Sequence, residues 1–389
     1  MNKIFSVFCF ISFLCFSLYL TLQNYDARLY GWDMPGYLGA IYKTDNPDSI
    51  KTVHKLVYNS IKQESSKSAF EKTIGEKPFG AATNEFARSP AAFNEQIPYY
   101  QVKHSYNAFG YAIYRLGVSA PKALLIVNGF FYFFAGIFLF LIFEFILTKN
   151  ILLSSILSLC VLLLQPIRQM ASDATPDIVC LSLLLLFLYS VLKKFSVLFQ
   201  FTILLNIVLV RPDMIILGIS YFLLVFLYKY FKTKKFAFEA TLYIFSLSFV
   251  YLIIVKFYNY PGWADVFYDS FINRRLYISK ESPTFNATQY IDIVLSNLKN
   301  FKKISLLALL FSVVIIYFSK NAWEKYFTIL IFLNIYLKFL FFPMAGEYRF
   351  FIGFILMLAI YLIYILNKRF DFVQVIYLRK SNFEKAGLN

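Results

Sequence analysis

The sequence predicts an all-α integral membrane protein with about ten transmembrane helices and amphipathic helices in a large first outer loop. Three observations carry this. Of the residues, 59% are hydrophobic and only 15% charged, whereas about a quarter of the residues in soluble domains are charged. The apolar residues fall into runs near the roughly 20 residues that cross about 30 Å of hydrocarbon. Lys and Arg concentrate in every second connection between the runs.

In chain order, the spans fall near 4 to 22, 122 to 147, 151 to 167, 178 to 192, 195 to 210, 214 to 229, 237 to 258, 303 to 319, 326 to 343 and 350 to 367. The first run follows Lys3 as a signal peptide would. Its apolar stretch of about 19 residues exceeds a signal core and no small-residue cleavage pattern closes it, so a retained helix is the better reading. The runs 178 to 192 and 195 to 210 are short, which fits little tilt or one re-entrant segment. The membrane domain covers 1 to 370 and a cytoplasmic tail covers 371 to 389.

The basic short connections set the orientation. A cytoplasmic N-terminus places Lys3, Lys149, Lys193, Lys194, Lys229, Lys232, Lys234, Lys235, Lys320, Lys325, Lys368, Arg369, Arg379 and Lys380 on the cytoplasmic side. Outside lie a first loop over 23 to 121, a second over 259 to 302, and short turns at 168 to 177, 211 to 213 and 345 to 349. The second loop runs against the rule with Arg274, Arg275, Lys280, Lys299, Lys302 and Lys303, which reads either as service to anionic lipid or substrate or as a plain exception. The net charge of +16 is thus mainly a topology signal, and nucleic acid is not an expected partner. The expected location is a cell membrane, bacterial inner or plasma, with multiple passes.

Within the first loop, Ile50, Val53, Val57 and Ile61 recur at helical spacing after Asp48 and predict an amphipathic helix. A second helix is predicted from Ser105 to Leu116, stopped by Gly117. Residues 62 to 98, richer in Lys, Glu, Ser, Asn, Gly and Pro, read as a mobile or substrate-ordered loop. Cys9, Cys15, Cys160 and Cys180 sit in apolar runs, and only His54 and His104 supply imidazole, so no metal site is expected and no cofactor is indicated, although a divalent metal stays open. Asn286-Ala287-Thr288 matches the N-glycosylation acceptor pattern, a three-residue match common by chance.

Four short polar clusters fall at outer helix ends: Gly31-Trp32-Asp33-Met34-Pro35-Gly36-Tyr37, Ser172-Asp173-Ala174-Thr175-Pro176-Asp177, Arg211-Pro212-Asp213 and Glu347-Tyr348-Arg349. Any one of them alone reads as an interfacial anchor, and Asp177 and Asp213 also read as acids complementing a helix N-terminus. All four on one face is a stronger signal. Converging acids and guanidinium groups suit an anionic lipid head group and a proton acceptor.

This pattern resembles the GT-C superfamily of polyprenyl-phosphate-sugar glycosyltransferases, in particular the protein O-mannosyltransferase and lipid A aminoarabinose transferase branch. Asp33 occupies the position of that family's first-loop acid, and Tyr37 follows at the family spacing. Tyr100-Gln101-Val102-Lys103-His104-Ser105-Tyr106 and Tyr114-Arg115-Leu116-Gly117 are similar to the segment leading to the second span. Thr175-Pro176-Asp177, Arg211-Pro212-Asp213 and Tyr348-Arg349 resemble shorter outer-face signatures. The likeness covers 1 to about 367. Met34 stands where many relatives carry a second acid, and no large soluble C-terminal domain is present.

The resemblance implies sugar transfer from a polyprenyl-phosphate donor to a glycan, lipid or protein acceptor at the membrane's outer face. Asp33 would be the catalytic base, with Asp173 and Asp177 as further catalytic candidates. Arg211 and Arg349 would stabilise the phosphate leaving group, and Tyr37, Lys103, His104, Arg168, Asp213 and Glu347 complete the candidate binding residues. A polysaccharide polymerase, leaning on Arg274-Arg275, and a lipid-linked-sugar transporter are the alternatives, with a non-catalytic scaffold behind them. A transporter predicts internal repeats and mid-membrane charge. The sequence has no repeat, and Lys256 and Lys338 read as lysines snorkelling at outer ends.

Overall fold

A computed structural model describes residues 3–75, 80–148 and 150–370. The chain opens with a long helix, α1 (Lys3–Asp26), and then runs through seven short ones: α2 (Met34–Asp45), α3 (Ile50–Glu64), α4 (Lys67–Thr73), α5 (Ala81–Arg88), α6 (Pro90–Gln96), α7 (Pro98–Gln101) and α8 (His104–Arg115). The bundle continues with α9 (Ala120–Ile146), α10 (Ile151–Leu162), α11 (Gln165–Ser172), α12 (Asp177–Leu192), α13 (Val197–Val210), α14 (Ile215–Thr233) and α15 (Phe238–Phe257). After α16 (Trp263–Phe271) come α17 (Ala287–Phe318), α18 (Ala322–Phe341) and α19 (Ile352–Phe370). Among the described residues there is no strand, only an isolated parallel bridge between Leu29 and Asp173.

Six helices are long and apolar enough to cross a membrane: α1, α9, α14 with the turn before it, α15, α17 and α19. The pair α10 and α11 makes a seventh if it counts as one span bent by 65°. The bend has a chemical cause. Pro166 has no N–H for the carbonyl of Leu162, which ends the ladder of α10; Leu164 is extended (ψ 127°), and a new helix starts at Gln165 with Pro166 in its first turn. Tyr132, buried in α9, donates its hydroxyl to that stranded Leu162 carbonyl at 2.9 Å.

Helix α9 is the hub, packing against α1, α8, α10, α11 and α12, while α14, α15, α17, α18 and α19 assemble beside it. The apolar residues facing outward along α15 and α17, such as Phe245, Phe249, Leu306 and Leu310, are exposed in the isolated chain, as helices facing lipid require. The Lys and Arg residues at 193, 194, 229, 232, 234, 235, 320, 325, 368 and 369 gather at helix ends opposite the polar clusters. Lys149, Arg379, Lys380 and the expected tail 371 to 389 lie outside the described residues.

The first-loop helices lie where expected, α3 at Ile50–Glu64 and α8 at His104–Arg115. The reading of 62 to 98 as a loop is corrected, because α4, α5 and α6 form there. Two serines explain it: Ser66 Oγ accepts from the Ala69 amide at 3.2 Å and Ser89 Oγ from the Ala92 amide at 3.3 Å, and Pro90 opens α6. The second loop is also shorter than expected, since α17 begins at Ala287 rather than near 303. Asn286 caps it, accepting from the amides of Thr288 at 2.9 Å and Gln289 at 3.3 Å, so its side chain has a local structural role.

Candidate active site

Proline sets the local geometry at the predicted clusters. Pro35 sits in the first turn of α2, Pro176 caps α12, Pro212 follows Arg211 and Pro343 follows α18. Proline cannot continue a helix from the preceding turn and favours an extended residue before it. Arg211 accordingly has φ −140° and ψ 97°. At Pro35, Pro176 and Pro212 a helix end therefore lies close to an ionisable side chain: Asp33, Asp177 and Arg211.

Arg349 lies at the centre of what results. Its guanidinium stands 3.6 Å from Asp33 Oδ2, 3.5 Å from Asp173 Oδ2, 3.6 Å from Asp177 Oδ2 and 3.3 Å from Glu347 Oε2. Arg211 pairs with Asp177 and, at 3.2 Å, with Asp213, whose other oxygen accepts from Lys338 Nζ at 2.8 Å. The separate clusters of the sequence thus form one ionic network reaching across α2, α12, α14, α18 and the turn before α19. Asp177 is 4% exposed and Arg211 12%, whereas Asp213 and Glu347 are nearly half exposed, so the network is shielded at its centre and open to water at its edge.

Asp33 is the N-cap residue of α2, yet its carboxylate makes no capping bond. It points into the network and accepts from the Tyr100 hydroxyl at 3.3 Å. Gly36 makes this contact sterically accessible: a Cβ there would lie 2.2 Å from the Tyr100 ring. Gly31 does the same for Asp173, since its Cβ would lie 2.7 Å from Asp173 Oδ1. The 170–175 turn is held from below by buried Asn128, whose Nδ2 donates to the carbonyls of Met170, Asp173 and Thr175.

Lys103 sits over the rings of Tyr37 and Tyr100, 5.5 and 5.1 Å from their centroids, and donates to the Tyr99 carbonyl at 2.6 Å. Burial lowers its pKa to about 8 against the opposing pull of Asp33. Five carboxyls, Asp33, Asp173, Asp177, Asp213 and Glu347, thus face four cations, Lys103, Arg211, Lys338 and Arg349. The excess acid falls on Asp173. Burial, with Asp33 and Asp177 close by, pushes its pKa up to about 7, while Arg349 pulls the other way. Its Oδ1, packed against Gly31, is buried without a hydrogen-bond partner, and the Arg349 Nε meets Glu347 as an ion pair without a hydrogen bond.

The site holds Asp33, Asp173, Asp177, Tyr37, Lys103, Arg211, Asp213, Glu347 and Arg349 together. Two predicted residues are elsewhere. His104 Nδ1 is 2.7 Å from the Tyr258 hydroxyl in an exposed pair, and Arg168 Nε donates to Asn24 Oδ1 at 3.0 Å against α1. Lys338, read as a snorkelling lysine, is instead 8% exposed and bound to Asp213; Lys256 is exposed as expected. Sequence reasoning also missed Phe350, whose ring lies 5.1 Å from the guanidinium carbons of both Arg211 and Arg349 and 5.9 Å from Lys338 Nζ. Its position directly after Arg349 was the one available signal. A small cavity of about 10 Å³ is lined by Asp177, Arg211, Arg349 and Phe350, among others.

Among the described residues, no group of three or more His, Cys, Asp or Glu is placed to hold a metal ion. The pattern instead offers an oxygen base beside fixed cations, an arrangement suited to taking a proton and receiving a developing anion. In comparisons with known proteins, no family model, no curated protein and no solved structure matches the chain.

Proposed function

We propose that this chain is a GT-C type membrane glycosyltransferase of about ten spans, with its site facing outward from a cell membrane, that moves a sugar from a polyprenyl phosphate to a glycan, lipid or protein acceptor. The observation that carries this reading is the convergence of Asp33, Asp173 and Asp177 on Arg349, with Arg211 beside them, at helix ends opposite the Lys-rich ends. Short α12 and α13 and charged α18 complete the ten spans.

In the proposed reaction the acceptor hydroxyl oxygen attacks the anomeric carbon and the bond from that carbon to the phosphate oxygen breaks. Asp33 takes the hydroxyl proton, and the electron pair leaves on the polyprenyl phosphate. Arg211 and Arg349 face the phosphate, and Phe350 packs against both guanidinium groups on their apolar side, which keeps them partly dry and strengthens their attraction for the anion. Tyr37 and Lys103 flank Asp33.

The test is to supply purified protein in lipid with synthetic polyprenyl-phosphate sugars and follow release of polyprenyl phosphate. Sugar transfer that Asp33→Asn abolishes supports the reading. Binding of the lipid donor without its consumption, under every acceptor tried, would favour a transporter.

A further inference from the structure

Between α15 and α17 the polar groups of α16 and the turn over 272–282 reach back to α6 and α7. Arg275 is buried at 1% exposure, and its guanidinium is fully engaged. Nε donates to Asp269 Oδ1 at 2.7 Å, NH2 to Asp265 Oδ1 at 2.7 Å and NH1 to the Glu281 carbonyl at 2.7 Å. The other oxygen of Asp269 accepts from the Tyr99 hydroxyl at 2.5 Å. Around this core Arg274 donates to Gln96 Oε1 at 2.7 Å, and Ser279 donates from its amide and hydroxyl to Glu95 at 2.9 and 2.8 Å.

A buried guanidinium with two carboxylates is a poor way to gain stability, because desolvation offsets the attraction and packed apolar side chains would do as well. Its advantage is direction: a planar fork fixes where each oxygen sits. Direction has a use here because Tyr99 belongs to α7. The carbonyl of Tyr99 holds Lys103 at 2.6 Å, and the next residue, Tyr100, places its hydroxyl 3.3 Å from Asp33.

The geometry points to Arg275 as a positioning residue: through Asp269 and Tyr99 it clasps the 263–282 segment onto α7 and so sets Tyr100 and Lys103 against Asp33. Arg274 is likewise engaged with α6, so the Arg274-Arg275 pair acts within the protein. The catalytic consequence rests on the glycosyltransferase reading; the clasp does not.

The experiment uses full-length protein in lipid with the four native cysteines replaced and Val102→Cys, a position 2% exposed beside α7, as a reporter for an impermeant maleimide. Arg275→Gln and Tyr99→Phe should each raise the labelling rate roughly tenfold, the scale on which loss of a hydrogen bond to a charged group shifts a local opening equilibrium. Arg275→Lys, which keeps the charge and loses the fork, should fall between. In the same variants, turnover of a polyprenyl-phosphate sugar should fall with donor KM little changed.

Unchanged labelling in folded Arg275→Gln protein overturns the clasp. Tyr99→Phe, lacking one hydroxyl, carries the same comparison if Arg275→Gln does not fold. Faster labelling with unchanged turnover overturns the positioning role. Wild-type protein that transfers no sugar, while labelling responds as described, defeats the glycosyltransferase reading and leaves the clasp standing.

Discussion

Asp33 heads α2 but leaves the helix uncapped, and that forgone bond is the residue-scale sign that its carboxylate has other work. Asp33→Asn keeps the size and the acceptor for Tyr100 while removing the base, so folding should survive and transfer should fall by ~10² or more; a purified variant with near wild-type turnover would remove the assignment. Arg211→Ala should weaken donor binding as well as turnover, since the phosphate is charged in both ground and transition states, and equilibrium binding of the donor checks this. Asp173 offers a pH test. Its folded pKa, about 7, lies above the ordinary carboxyl value of 3.8. Between those two pH values the unfolded chain ionises Asp173 while the folded one resists, so this residue lowers stability progressively as pH rises from 4 to 7 and by a constant amount above. Asp173→Asn should therefore unfold at a higher temperature than wild type at pH 8, and the difference should disappear near pH 4. These residues were legible because each stood in a short polar cluster at the end of an apolar run, with the clusters on one face. Lys338 and Phe350 were not, because nothing local separates a lysine that snorkels from one that reaches Asp213 inside the bundle.

At the scale of elements, close approach is decided by small residues. Gly36→Ala places a methyl 2.2 Å from the Tyr100 ring, so α2 and α7 must separate. The expected cost is about 1–3 kcal/mol, the usual range for overpacking, and a lower unfolding temperature in detergent should report it. Tyr100→Ala in the same background should recover part of the loss. The helical periodicity of Ile50, Val53, Val57 and Ile61 was sufficient to locate α3, and all but Ile50 of those residues are buried. The polar composition of 62 to 98 hid α4 to α6, because their stability comes from serine caps and from packing on α3 rather than from a long apolar stripe. The start of α17 was misplaced for a similar reason: its first turns are amphipathic, with Lys299 and Lys302 among apolar residues, and hydropathy alone stops where the charges begin.

At the scale of the whole molecule, the orientation is directly testable. Single cysteines at exposed Ser68 and Thr233 in a cysteine-free background should react differently with an impermeant reagent in intact cells, Ser68 labelling and Thr233 not. Labelling of Thr233 alone would invert the protein and place the Asp33 to Arg349 network in the cytoplasm. Composition, run length and charge in the short connections determined by themselves that the chain is helical and built for a membrane, because the cost of leaving backbone groups unpaired in hydrocarbon allows few other answers and apolar length is readable one residue at a time. They also determined which helix ends share a face. Tertiary structure alone decided that Arg349 stands among three aspartates, that His104 and Arg168 stand apart, and that Arg275 faces inward to Asp269 rather than outward. Which of several ionisable groups at one end of a bundle meet depends on how the helices cross and where prolines bend them, over distances of a few ångströms, and that information is spread across side-chain packing between residues more than a hundred positions apart.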